Sequence, residues 1–139
     1  MPVRIETKAP TFFIQRLEGN LHAGDMQTLF QDMDKIMAAG QKIGVIVDTE
    51  RIGKVDTEVV KLAAQWFKQG GKLIGRLWVG YGMVIPSAST RFLLTSLLLI
   101  TRMPMPYKVF DTYEQAARWL ATRFREEALP VPEPLKPYA

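Results

Sequence analysis

The residues best suited to chemistry form one acidic segment in the first half of the 139-residue chain. Asp48, Asp56 and Glu58 supply carboxylates, and Thr57 supplies a hydroxyl at the predicted start of a helix. Carboxylates can transfer protons or hold a metal ion, but either role needs further ligands or a nucleophile within reach. The single histidine, His22, has no identifiable serine or cysteine partner and is predicted to be a loop residue. We therefore predict no enzyme activity, no metal site and no cofactor, and we interpret this segment as a binding surface.

Composition narrows the class of protein further. The sequence contains no cysteine, which excludes disulfides, thiolate zinc sites and cysteine nucleophiles and fits a reducing compartment. Lys and Arg exceed Asp and Glu by four, but the cations are scattered and form no basic stripe with interleaved aromatic residues. No secretory signal is apparent, and the longest apolar run, from Phe92 to Ile100, is about half of what a bilayer-spanning helix needs. We expect a cytoplasmic protein that binds no nucleic acid and has no transmembrane segment.

Hydrophobic periodicity predicts a single α/β domain. An opening β-hairpin leads to a helix for which Asp25 is a candidate N-cap. The β-branched run that ends at Asp48 is typical of a strand buried on both faces, so it is predicted to be the central strand. Asp56 or Thr57 caps the second helix, and Gly70 and Gly71 end it. The later predicted elements are a strand over residues 73–85, a helix over 86–102, a strand over 107–110 and a final helix. Asp111 and Thr112 stand three residues before Glu114 and Gln115, which is a capping-box signature for the start of that helix.

These elements define the predicted fold class. Strands alternate with helices after the hairpin, which implies right-handed crossovers. We predict a mixed, mainly parallel five-stranded sheet with four helices, formed by residues 1–127. Four prolines follow Glu127, so residues 128–139 are predicted to be an extended, polyproline-like tail.

The third predicted helix is too apolar for an ordinary surface helix. One face should pack on the sheet, and the other must be hidden against a twin subunit, the proline tail, a lipid or a membrane surface. Methionine adapts to irregular ligands, so this helix and the methionines after it are predicted to border an apolar groove. The candidate ligand-binding residues are Phe92, Leu93, Leu97, Met103 and Met105.

The stretch from Val45 to Glu58 resembles the signature of the anti-sigma-factor-antagonist family, known as STAS domains. In that family a strand ending in aspartate leads through a loop to Asp-Ser-Ser-Gly at a helix start. By this resemblance Asp56 matches the loop aspartate and Thr57 the first serine, and Glu58 occupies the position of the serine that family members phosphorylate. A helix N-terminus favours negative charge, so Glu58 is a permanent stand-in for a phosphate. The alternative is that these residues only cap the helix and complement its dipole.

A second resemblance covers residues 107–120, which are similar to the ending of the SpoIIAA-like subgroup. That subgroup shares its fold with lipid-binding SEC14-type domains. The resemblance implies a SpoIIAA-like fold and a non-enzymatic regulatory module that docks a protein partner through Asp48, Asp56, Thr57 and Glu58, without the usual phosphorylatable serine. The partner is predicted to be another protein or a second copy of the chain, which would make a homodimer. The alternative is a binder of an apolar ligand such as a lipid, or of a membrane surface, through the 92–105 region.

Overall fold

A computed structural model describes residues 2–139 of the chain. The predicted strands and helices occur in the predicted order, with two further short strands and one further short α-helix among them. The strands are β1 (Val3–Ala9), β2 (Phe12–Leu17), β3 (Gly19–Leu21), β4 (Ile43–Asp48), β5 (Ile52–Val55), β6 (Trp78–Val84) and β7 (Tyr107–Phe110). The helices are α1 (Ala23–Met37), α2 (Thr57–Gln69), α3 (Gly71–Leu77), α4 (Ala88–Ile100) and α5 (Tyr113–Glu126), followed by a 3-10 helix, Glu133–Tyr138.

The main sheet has five strands in the order β1-β2-β4-β6-β7. β1 and β2 form the antiparallel hairpin, and every other neighbouring pair in this sheet is parallel. The predicted mixed, mainly parallel five-stranded sheet is therefore confirmed, with β4 at its centre. A second, two-stranded parallel sheet joins β3 to β5 and was not predicted.

Each face of the sheet carries its own hydrophobic core. Successive side chains of a strand point to opposite faces, and in β4 this places Val45 and Val47 in one core and Ile46 in the other. The parallel crossovers all step in one direction across the sheet, so right-handed connections put α1, α2, α3 and α4 on the same face. The opposite face is covered by α5 and the 3-10 helix.

The sequence prediction is wrong over residues 73–77, where the second half of α3 replaces the start of the strand predicted over 73–85. Ile74 and Leu77 are buried three residues apart, which is a helical spacing, whereas a short apolar run does not distinguish a helix from a strand. Gly70 and Gly71 end α2 as predicted, but a new helix begins directly after it. Residues 2–139 consequently contain five α-helices instead of four, and β6 begins only at Trp78.

The start of α1 also differs from the prediction. His22 is the N-cap and Asp25 is the third helical residue, where its carboxylate accepts a hydrogen bond from the His22 backbone N–H at 2.9 Å. This is the return half of a capping box. Asp25 therefore stabilises the helix start, but from inside the first turn. The predicted cap of α5 is confirmed, since the Thr112 hydroxyl accepts a hydrogen bond from the Gln115 N–H at 3.3 Å.

The proline-rich tail is not extended throughout, because residues 133–138 form the 3-10 helix. Leu135 is fully buried in the core under α5, with Leu129, Val131 and Tyr138 packed around that core. Burial of these apolar side chains stabilises the tail against the domain. The proline content alone does not indicate this. The tail therefore lies on the α5 face and does not cover α4.

Candidate functional site

The start of α2 is held by the small β3–β5 sheet. Leu21 of β3 lies opposite Val55 of β5, and the backbone N–H of Asp56 donates to the carbonyl of Leu21 at 3.1 Å. The side-chain oxygen of Asn20 accepts the backbone N–H of Lys54 at 2.9 Å. The chain between β4 and α2 is thus tied to the segment that follows β2, and it has a defined position although it lies at the surface.

His22 joins this site, which the sequence did not predict. Its Nδ1 lies 2.7 Å from a carboxylate oxygen of Asp56. This hydrogen bond, helped by the negative charge of Asp56, raises the pKa of the exposed His22 imidazole above its ordinary value of 6.5. Asp56 is the N-cap residue of α2, but its side chain makes no capping hydrogen bond. The carboxylate therefore binds the histidine instead of the helix.

Asp56, Thr57 and Glu58 are all exposed. The carboxylate of Glu58 lies 3.6 Å from the ammonium of Lys61, one turn further along α2. Surface pairs of this kind contribute little to stability, so both groups remain free to contact a partner. The turn is an exposed, negatively charged surface at the electropositive end of a helix.

Asp48 is placed differently from these three residues. It ends the central strand β4, and its side chain is only 13% exposed and forms an ion pair with Arg16 of β2. The second Asp48 oxygen accepts the backbone N–H of Glu50 at 2.9 Å, and Arg16 also bonds Glu6 at 2.9 Å. The Asp48 carboxylate is therefore committed to contacts within the domain and offers a partner less than the exposed turn does.

A cleft of about 270 Å³ lies beside this ion pair at the carboxyl ends of β2 and β4. Its walls carry both signs of charge, which gives no preference for an anion or a cation. The charged residues that line it are Arg4, Arg16, Glu18, Asp48, Glu50 and Arg51.

The candidate apolar residues divide into three groups. Leu93, Leu97 and Met103 line a partly open cavity of about 120 Å³ between the sheet and helices α1, α2 and α4. Phe92 is 70% exposed on the outer side of α4. Met105 is buried in the core on this face of the sheet and does not line the cavity.

The cavity wall is almost entirely apolar. Its buried polar side chains are Gln15, Thr49 and Tyr81. The Tyr81 hydroxyl lies 2.6 Å from the side-chain oxygen of Gln15, and the Thr49 hydroxyl donates to the Val84 carbonyl at 2.9 Å. Burial raises the pKa of Tyr81 far above its ordinary value of 10.0, so the phenol stays protonated. A ligand in this space would meet mainly apolar side chains, and these buried polar groups are already hydrogen-bonded within the domain.

Several kinds of site are absent from residues 2–139. Within that range no three His, Asp or Glu side chains are grouped so that they could hold a metal ion. The same residues contain no buried side-chain nitrogen or oxygen without a hydrogen-bond partner. None of the helices described above is both long and apolar enough to cross a membrane.

Comparison with solved structures identifies the fold. An uncharacterized protein of the DUF3478 family with a SpoIIAA-like fold, from Shewanella loihica PV-4, is 16% identical, with a TM-score of 0.58 over 85% of this chain and 91% of that one. The anti-sigma factor antagonist SpoIIAA in its unphosphorylated form is 14% identical, with a TM-score of 0.55 over 92% and 98%. An anti-sigma factor antagonist from Mycobacterium paratuberculosis is 14% identical, with a TM-score of 0.54 over 85% and 92%.

Sequence comparisons add nothing to this result, because no family model and no curated protein match the chain. At these identities the structural neighbours establish architecture and leave activity open. Its strand order, opening hairpin and helices give this chain the SpoIIAA-like fold that anti-sigma factor antagonists also have.

Proposed function

We propose that this domain is a regulatory protein-interaction module without chemistry of its own. Asp56, Thr57 and Glu58 form the docking surface, with His22 beside them and Asp48 supporting the end of the central strand. The observation that carries the proposal is that this turn is exposed yet held in place by the β3–β5 sheet. Preorganised surface loops bind with less loss of conformational entropy than mobile ones. The shared fold with anti-sigma factor antagonists supports the same assignment.

The charge at this surface is permanent in the proposal. Glu58 stands in the first turn of α2, where the helix dipole favours an anion. Phosphorylation of a serine would switch such a charge on and off, but a glutamate carries it without modification. The partner is therefore one that recognises a constant negative charge, and kinase control of this site is lost.

A capture experiment with matched variants tests the docking surface. The full chain, Glu58→Gln and Asp56→Asn are each immobilised and exposed to lysate of the source cells, and captured proteins are purified and titrated back. Glu114→Gln is the control, because Glu114 also lies in the first turn of a helix and pairs with a cation one turn later. We expect one protein that binds the full chain and the control alike and binds the two other variants at least about tenfold more weakly. Equal binding by all four proteins would remove Asp56 and Glu58 from the interface.

Phosphorylation provides a separate test of the lost switch. The chain is incubated with kinases that act on anti-sigma factor antagonists, and phosphate incorporation is measured by mass spectrometry. We expect none at Thr57, and Glu58→Ser is expected to restore a phosphorylated residue at position 58. Stoichiometric phosphate on Thr57 of the unaltered chain would contradict the proposal.

A second candidate function is supported by the cavity under α4. Its volume of about 120 Å³ is close to the roughly 150 Å³ of an engineered apolar cavity that binds benzene. A whole lipid chain is much larger, so the candidate ligand is a small apolar molecule or the end of a chain. Anything bound only by the folded protein raises its melting temperature. Benzene and fatty acids of increasing length are the probes, and no shift with any of them would exclude this function.

A further inference from the structure

Helix α4 has a single charged residue, Arg91, and its partly exposed side chain is paired with Asp111. Ala88, Phe92, Thr95 and Leu99 recur at spacings of four, three and four residues, so they form one stripe along the helix. Phe92 is 70% exposed and Leu99 is 85% exposed, and Ile100 beside the stripe is 57% exposed. Surface helices normally present charged or polar residues to water. Large apolar side chains grouped on one face indicate a contact that the chain itself does not supply.

The residues around α4 are positively charged. No Asp or Glu occurs between residues 59 and 110, whereas this stretch contains seven Lys and Arg residues. Two of them are paired, Lys61 with Glu58 and Arg91 with Asp111. The other five have no carboxylate partner within residues 2–139, and they are Lys68, Lys72, Arg76, Arg102 and Lys108.

Several of these cations are brought to the C-terminal end of α4 by the packing of α3. A methyl group on Gly75 of α3 would lie 2.7 Å from the carbonyl oxygen of Pro104, so helix and loop are in close contact there. Lys72 and Arg76 are on the same short helix, and Arg102 lies two residues before the proline. The loop that follows α4 therefore carries Arg102 and packs against the helix that carries Lys72 and Arg76.

We propose that α4 docks this domain on the surface of an anionic lipid bilayer, with Phe92, Leu99 and Ile100 inserted among the lipids. The unpaired cations would contact the headgroups, and each Lys or Arg near an anionic surface contributes to such binding. A bilayer supplies what this face lacks, which is an apolar medium next to negative charge. The helix lies on the membrane and does not cross it.

A second copy of the chain fits this face less well. A two-fold interface brings the same patch of both subunits together, so the unpaired cations around one copy of α4 would face those around the other. The whole chain also has a net charge of +4. The proline-rich tail cannot fill the role either, because it packs on the other side of the sheet. Charge complementarity therefore favours an anionic partner.

Flotation with lipid vesicles tests the proposal on the full chain. Vesicles of phosphatidylcholine alone are compared with equimolar phosphatidylcholine and phosphatidylglycerol. We expect binding only to the anionic vesicles, and a strong loss when salt rises from about 0.1 M to about 1 M, which shortens the Debye length from about 10 Å to about 3 Å. The double variant F92S/L99S should bind at least about tenfold more weakly. Both side chains are exposed, so its melting temperature should match that of the unaltered chain.

The charge contribution has a matched control. Lys72→Gln with Arg102→Gln should weaken vesicle binding about 25-fold, at about fivefold for each cation. Arg118→Gln with Arg125→Gln removes the same charge from α5 on the opposite face and should change binding less than about twofold, since it acts beyond the screening distance.

Three outcomes would overturn the proposal. The first is that the unaltered chain does not bind anionic vesicles. The second is that F92S/L99S binds them as strongly as the unaltered chain does. The third is that sedimentation shows a dimer, or a captured protein partner, whose binding is abolished by F92S/L99S while vesicle binding is unaffected. In that last case α4 is a protein interface.

Discussion

Helices α4 and α5 cover opposite faces of the same sheet, yet they meet solvent in opposite ways. The outer face of α5 carries Glu114, Arg118, Arg125 and Glu126, and Arg118 and Glu114 form an ion pair at 2.6 Å. The outer face of α4 has one charged residue, Arg91, and exposes Phe92 and Leu99. The α5 face thus presents mainly charged side chains to solvent, whereas the α4 face presents large apolar ones.

The inner faces of the two helices differ as well. The inner side chains of α5 are each at most 1% exposed, and they are Ala116, Ala117, Leu120, Ala121 and Phe124. On α4 only Leu97 is buried, and the space beneath that helix is the cavity of about 120 Å³. Interiors are normally packed to the density of organic crystals, so such a space is a departure from the usual core. The comparison teaches that the core under α5 is closed, whereas the larger core on the other face leaves a space beneath α4.

The largest expected difference between the two helices is in folding stability. Phe124→Ala on α5 should lower the free energy of unfolding by about 3–5 kcal/mol, because it empties a fully packed core. Leu99→Ala on α4 should change it by less than about 0.5 kcal/mol, because that side chain is already in water. Urea denaturation of both variants measures this. Similar losses for the two would mean that α4 is packed in solution and would break the comparison.

The close approach of α5 to the sheet gives the next largest effect. A methyl group on Gly44 would lie 2.6 Å from the ring of Phe124 and 3.0 Å from Leu120. We expect Gly44→Ala to destabilise the domain by about 1–3 kcal/mol through overpacking. Thermal unfolding with circular dichroism checks the prediction. A variant as stable as the unaltered chain would show that α5 can move away from the sheet at little cost.

The α4 face should respond in the opposite direction when a side chain is enlarged. Ala63 of α2 lines the cavity, so Ala63→Leu should fill part of it and raise the free energy of unfolding by about 1 kcal/mol. The same change should abolish any melting-temperature shift caused by small apolar ligands. A destabilised variant would mean that the cavity is smaller in solution than its geometry indicates.

The smallest expected effect is electrostatic and concerns His22 and Asp56 on the α4 side. The folded-state pKa of His22 is raised above 6.5 by its hydrogen bond to Asp56. Protonation therefore favours the folded state, and this contribution is fully present below pH 6.5 and is lost as the pH rises through the raised pKa. Asp56→Asn should bring the imidazole pKa back toward 6.5, which NMR titration of the ring protons measures. An unchanged titration would show that the two groups do not pair.

Sequence patterns correctly predicted the main sheet of this domain and the position of part of its candidate site. The β-branched run ending at Asp48 was predicted to be a strand buried on both faces, and it is the central strand. The exposed turn before α2 was also placed correctly, although its role in binding stays a proposal. His22 was missed because it meets Asp56 across 34 positions of the chain, and no spacing rule reaches that far.

By itself the sequence determined local features, which are the hairpin, the central strand, the amphipathic helices and the cap at Thr112. They follow from side-chain periodicity and hydrogen-bonding capacity over a few residues. Only the tertiary structure decided that residues 71–77 are helical, that β3 pairs with β5, and that the tail packs on α5 and leaves α4 uncovered. These outcomes depend on which surfaces meet after the chain has folded. A sequence pattern indicates that an apolar side chain should be buried, but the tertiary structure determines which residues bury it.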